Sequence, residues 1–163
     1  MSVLPLRYHP DPVLRRRAQP VRQIDAAVRR LVADMVDTMR HHSGVGLAAP
    51  QVGVSLRVAV IELPEEPVIV LINPAMVKRR GEQQVEEGCL SYPGYRGEIK
   101  RSQKVVVKAL NLEGEEVRVK AEGMAAQALE HELDHLNGIL YIDHLGSQDE
   151  LYPLEPGPPP SAA

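Results

Sequence analysis

The chain has 163 residues, 44% of them hydrophobic and 25% charged, the composition of one ordinary globular domain large enough for a core. A net charge of -3, with five Tyr and no Phe or Trp, argues against a dedicated nucleic-acid binder, which favours a basic surface and stacking rings. No apolar run reaches the length of a membrane span, and prolines and Asp11 break up the arginine-bearing N-terminus, so neither a signal peptide nor a transit helix is expected and the cytoplasm is the default compartment.

In chain order, the first clear element is a helix over about 25–42. Val28, Leu31, Val32, Met35, Val36 and Met39 recur at helical spacing, and Asp25 is the expected N-cap. A glycine-rich loop, GVGLAAPQVG, follows. It comes after a helix rather than a strand and lacks a closing Lys-Ser/Thr pair, so it is not read as a phosphate loop. Two β-branched segments, 56–63 and 67–74, are expected strands bounded by prolines. QKVVVKALNL and EEVRVKAE flank Glu113-Gly114 and predict an antiparallel hairpin. A last helix runs from about Glu122 to Asn137, with Gly138 as its stop. Strands gathered between two helices, without strand–helix alternation, predict an α+β fold. Residues 1–147 are read as a single domain and 148–163 as a proline-rich, extended or disordered tail.

The chemistry concentrates in HELDHLNG, 131–138. On a helix His131 and His135 stand about 40° apart around the axis and roughly 6 Å along it, so both imidazoles can reach one ion. Glu132 lies off that line, close enough to handle a water at the ion, as in the H-E-x-x-H pattern. A catalytic site needs a third protein ligand and an open position. Tyr141 stands where some such enzymes carry a third histidine, and tyrosine is a poor ligand at neutral pH. Glu150 and Glu155 fall in or beside the tail, and spacing leaves Asp143 and His144 as alternatives. Cys89, the only cysteine, lies between glycine-rich neighbours in EEGCLSYPG. Its soft thiolate completes a Cys-His-His set with one position left for solvent. Besides amide hydrolysis at such a site, an H-E-x-x-H peptidase and a non-enzymatic module with a structural metal stay open.

Three blocks, GVGLAAPQ (44–51), EGCLS (87–91) and HELDH (131–135), together resemble the peptide deformylase family, and the similarity runs from about Leu4 to Leu145. The resemblance implies metal-dependent hydrolysis of the N-formyl group from the formylmethionine of nascent polypeptides, releasing formate. It implies antiparallel sheets packed around a central metal-ligand helix, with an N-terminal helix. Cys89, His131 and His135 are the implied ligands of one divalent cation, commonly Fe(II), with Zn(II), Ni(II) or Co(II) able to substitute. Glu132 is the implied acid/base, and Gln51 with the backbone N–H of Leu90 the oxyanion donors. Gly46 is expected to hydrogen-bond an extended peptide through its backbone. Val45 and Leu90 are expected to line a pocket for the thioether side chain. Glu87 and Arg101 resemble an ion pair that buttresses the site. The implied partners are N-formylmethionyl nascent peptides of a bacterial cytoplasm, with no membrane and no direct nucleic-acid contact. Some relatives reach the ribosome through a basic C-terminal helix. This chain ends instead in prolines and small residues, which argues against a transient ribosome contact by that route.

Overall fold

Helix α1 spans Ala26–His41, and Asp25 caps it by accepting the Val28 N–H at 3.0 Å. Its buried stripe, Val28, Val32, Met35 and Met39, packs on Leu47, Val58, Val60 and Ile72. The computed structural model describes residues 2–146 and 151–154. Among them five strands make one sheet: β1 (Gly46–Ala48), β2 (Val58–Ile61), β3 (Ile69–Arg80), β6 (Lys104–Leu110) and β7 (Glu116–Glu122), in the order β1-β2-β3-β6-β7. Three more make a second sheet: β4 (Gln83–Cys89), β5 (Tyr92–Arg101) and β8 (Leu151–Pro153), in the order β4-β5-β8. Every ladder within the two sheets is antiparallel.

Helix α2 (Met124–Leu136) lies against the five-stranded sheet. Ala126, Leu129, Leu133 and Leu136 pack on Val105, Val107 and Ala109 of β6, with Ile61 and Leu71 beneath. Each buried leucine stabilises this contact by roughly 1.5–3 kcal/mol. The helix ends at Gly138, whose φ of 76° is the left-handed C-terminal conformation; the Ile139 N–H closes back onto the Asp134 carbonyl at 2.9 Å. Arg57 donates to the Leu136 carbonyl at 2.9 Å and so anchors that end against β2. The observed architecture is thus α+β, with the ligand-bearing helix packed on antiparallel sheet.

Three features depart from the sequence expectation. Strand β3 does not stop at Pro74 but continues to Arg80, with a register shift between Ile72 and Ala75 where the proline falls. Proline is tolerated there because the ladder is already interrupted. Strands β4 and β5 were not predicted, because 83–101 is largely polar and glycine-interrupted. Leu151–Pro153, within the stretch read as a tail, pairs with Tyr95–Gly97. Residues 147–150 and 155–163, with Glu150 and Glu155, lie outside the described residues.

Candidate metal centre

Strand β4 delivers Cys89 at its end, and α2 delivers His131 and His135 from one face. Cys89 Sγ is 3.3 Å from His135 Nε2, which is 3.1 Å from His131 Nε2. The three ligand atoms lie within 4.8 Å of one another, and all three side chains are buried. Asp143 and His144 are not part of this set: Asp143 pairs with Arg15 and His144 with Asp134.

A buried chain of charges fixes the first imidazole. The His131 Nδ1–H donates to Glu87 Oε2 at 2.6 Å, which turns Nε2 toward Cys89 and His135. Glu87 accepts two bonds from Arg101, at 2.6 and 3.1 Å, and one from Gln127 Nε2 at 3.2 Å. Arg101 also donates to Asp134 at 2.7 Å, and Asp134 meets His144 Nε2 at 2.8 Å. With side chains only 3% and 5% exposed, Arg101 and Glu87 are a buried pair rather than a solvated one. Burial pushes the Glu87 carboxyl up, but His131 and the Arg101 guanidinium outweigh it and hold the group well below the usual carboxylate range. Burial depresses both imidazoles; Glu87 outweighs it at His131, which is raised, whereas His135, beside His131, is lowered.

Glu132 is fully buried, and neither carboxylate oxygen has a hydrogen-bond partner among the described residues. Burial raises its pKa to about 7. Its carboxylate lies against the backbone of Gly46 in β1, where a Cβ would come to 3.0 Å from Cδ and closer still to Oε2. Gln51, also fully buried, is oriented by the Ala48 N–H, which donates to its Oε1 at 2.9 Å. Its Nε2 therefore faces Ser91 Oγ, at 3.2 Å, and Cys89 Sγ, at 3.7 Å. The Ser91 N–H also donates to that sulfur, at 3.4 Å.

Beside His131 opens a cavity of about 290 Å³. Val45, Gly88, Met124 and Ala128 contribute to its walls, with Arg96 among the polar lining residues. The Leu90 side chain packs in the α1 core with Val52 and Ile72 and is not among the residues lining this cavity. Ser91, Gln127 and Asp134 were not singled out from sequence, and His144 only as an alternative metal ligand, since nothing in their local pattern reveals a partner brought in by folding.

The residues fit a divalent cation. Ligand distances of about 2.0–2.1 Å to nitrogen and 2.3 Å to sulfur put neighbouring ligands of a tetrahedral ion roughly 3.3–3.6 Å apart, and the observed 3.1 and 3.3 Å are close to that. A cation between the two Nε2 atoms and the sulfur would satisfy all three at once in a buried site.

Residues 3–150 match the family model described as polypeptide deformylase. The chain belongs to the polypeptide deformylase family. It is accordingly a metal-dependent hydrolase that removes the N-formyl group of nascent polypeptides. A peptide deformylase of Dehalococcoides mccartyi is 52% identical over 148 residues, 90% of this chain and 89% of the relative. The crystal structure of the Legionella pneumophila deformylase superposes with a TM-score of 0.88 at 44% identity, covering 91% of this chain and 89% of that one. A class I type b deformylase from Acinetobacter baumannii, bound to Met-Ala-Ser, gives 0.85 at 36% identity, covering 88% and 98%. Among the described residues of this deformylase no helix is long and apolar enough to cross a membrane.

Proposed function

We propose that Cys89, His131 and His135 hold one divalent cation, Fe(II) in the native enzyme with Zn(II), Ni(II) or Co(II) able to replace it, and that Glu132, Gln51 and Leu90 carry out deformylation beside it. The observation that carries this reading is the convergence of one sulfur and two ring nitrogens within 4.8 Å, next to a buried carboxylate with no partner among the described residues. Bound there, the cation polarises a carbonyl oxygen and acidifies a water molecule.

The chain's own groups supply the rest. Glu132, poised by burial near neutral pH, takes the proton of the attacking water and delivers it to the departing amine. Gln51 Nε2 and the Leu90 backbone N–H donate to the oxygen of the formyl group as charge builds on it. A neutral amide does this without adding a charge near the ligands. Gln51 arrives pre-oriented, because its carbonyl is already engaged by the Ala48 N–H. Among the described residues strand β1 is at the sheet edge, paired only with β2. Its free edge at Gly46 suits an extended peptide added as a further strand. The methionine side chain then enters the cavity against Val45, Met124 and Ala128. The Met-Ala-Ser held by the Acinetobacter relative supports a product of this form for this chain. Residues 1–147 form the catalytic unit, working in a bacterial cytoplasm on formylmethionyl chains.

Glu132→Ala tests the assignment. The variant should keep one equivalent of metal yet release formate from formyl-Met-Ala-Ser at least ~100-fold more slowly, within the range for a lost general base. Unchanged turnover with intact metal removes Glu132 from the chemistry.

A further inference from the structure

Two cavities adjoin beside β1. The one next to His131, which takes the methionine in the reading above, shares Val45 and Pro64 with a second groove of about 370 Å³. Ser43 and Gly44 line that groove from the β1 side, and Glu65 and Glu66 from the loop between β2 and β3. The Glu62 N–H donates to the Val45 carbonyl at 2.9 Å, so this carbonyl faces β2. Carbonyls alternate along an antiparallel strand, so those of Gly44 and Gly46 face the other way, where no strand pairs with β1 among the described residues. Past Gly46 the edge is closed, because the Ala48 N–H already donates to Gln51 Oε1 at 2.9 Å. The open stretch of edge therefore starts beside Glu132, at Gly46, and runs back through Gly44 to the second groove.

A peptide held along this edge has its reacting end at the metal centre and its later residues over Gly44 and Ser43. Side chains of an extended chain alternate, and the third stands about 7 Å beyond the first on the same side. With methionine in the first cavity, the third side chain enters the second groove and the second side chain turns away from it. The Met-Ala-Ser bound to the Acinetobacter relative is a chain of this length. The groove has an excess of negative charge. Its one cation, Arg40, is held by Glu62 through bonds of 2.9 and 2.7 Å. Glu65 and Glu66 are exposed, and no described cation lies within ion-pair distance of either. The backbone holds Glu65 where glycine is the favoured residue. Leu63–Glu66 is a turn closed by the Glu66 N–H on the Leu63 carbonyl at 3.1 Å, with Pro64 second and Glu65 third at a φ of 64°. A glutamate at such a position is strained and puts a charge where the turn itself asks for no side chain.

We infer that Glu65 and Glu66 make the enzyme select substrates whose third residue is lysine or arginine. The inference rests on the deformylase reading and names which formylmethionyl chains that site prefers. The test compares kcat/KM for the C-terminal amides of formyl-Met-Ala-Lys, formyl-Met-Ala-Gln and formyl-Met-Ala-Glu with the metal-loaded full chain at ~50 mM KCl. An exposed ion pair favours its paired form by roughly 1.5- to 5-fold. The Lys peptide should thus exceed the Gln peptide by about fivefold, and the Glu peptide should fall about as far below it. The differences should sit in KM, because the groove lies away from the reacting atoms. At ~500 mM KCl, where charges are screened beyond about 4 Å, they should shrink to under about twofold. The combined Glu65→Gln and Glu66→Gln variant should bring the three peptides within about twofold of one another at low salt. Glu65→Gly, which suits the turn, should melt no lower than wild type and yet lose part of the preference. Equal kcat/KM for the Lys and Glu peptides in the wild type overturns the proposal. So does a ratio that the double variant retains, or an equal ratio when the charged residue is moved to the second position. Formate release from the Gln peptide tests the deformylase reading and the Lys-to-Glu ratio tests the groove, so the two failures are distinguishable.

Discussion

Gly46→Ala puts a single methyl group against the proposed acid/base. The ideal Cβ falls 3.0 Å from Glu132 Cδ and 3.2 Å from Cγ, and nearer still to Oε2, where ordinary contact is 3.4–4 Å. Gly46 has no positive φ, so alanine fits its backbone and keeps its N–H. The whole effect must therefore pass through the carboxylate. Glu132 is fully buried, and its carboxylate must shift by roughly 0.5–1 Å to restore ordinary contact. A misplacement of about 1 Å costs on the order of a hundredfold in rate, or ~2.7 kcal/mol of transition-state stabilisation. We predict that kcat for formate release from formyl-Met-Ala-Ser falls by about that factor, with metal content unchanged. The decisive comparison is a double-mutant cycle. In a Glu132→Ala background, Gly46→Ala should cost nothing further, because the group it displaces is gone. Wild-type turnover in Gly46→Ala, or an equal loss in both backgrounds, refutes the idea that the missing side chain at Gly46 makes room for Glu132.

Arg101→Leu leaves Glu87 buried without its main partner; it should destabilise the fold by about 3–5 kcal/mol in chemical denaturation and weaken metal affinity about 10–100-fold through His131. Unchanged affinity would separate the ion pair from the metal site. Asp143 offers a pH test: partial burial pushes its carboxyl up, but Arg15 and the Leu140 N–H outweigh this and hold it below 3.8. A lowered folded pKa adds stability above the unfolded value, and that stability is lost as the pH falls from there through the folded value. The melting-temperature difference between wild type and Asp143→Asn should thus be constant above about pH 5 and shrink below pH 4. It should correspond to under ~1 kcal/mol, since both partners are more than a third exposed; a difference that grows on acidification contradicts the sign. Leu129→Ala, at a position 1% exposed between α2 and β6, should cost about 2–5 kcal/mol in the same unfolding assay. A loss under about 1 kcal/mol would show that the interface collapses around the gap.

What could be read from the chain was what local pattern encodes. The apolar stripe from Val28 to Met39, the hairpin around Glu113-Gly114 and the helix stopped at Gly138 each carry periodicity or turn chemistry within a few residues. His131 and His135 were legible as a pair because four residues are one helical turn. Cys89 came from elimination of nearer ligands and from the motif blocks, since the 41 residues between it and His131 give no spacing rule. Pro74 misled because proline ordinarily ends a strand, whereas here it falls at an irregularity in β3. The hairpin of β4 and β5 was invisible because its buried positions, such as Glu87, Ile99 and Arg101, mix charge with apolar side chains. The same mixture makes it useful: Glu87 and Arg101 are inward because they serve His131, not because they are hydrophobic. The links to Asp134 and His144, and the closeness of Glu132 to Gly46, are tertiary facts without a local signature.

The most direct measurement is an anaerobic titration of the metal-free protein with Fe(II), following bound metal and formate release together, for wild type and Cys89→Ala. Activity of the wild type should rise in proportion to bound iron and level off at one equivalent, while Cys89→Ala should retain neither stoichiometric metal nor turnover. Formate release by the metal-free chain, or a fully active and fully loaded Cys89→Ala, would contradict the account.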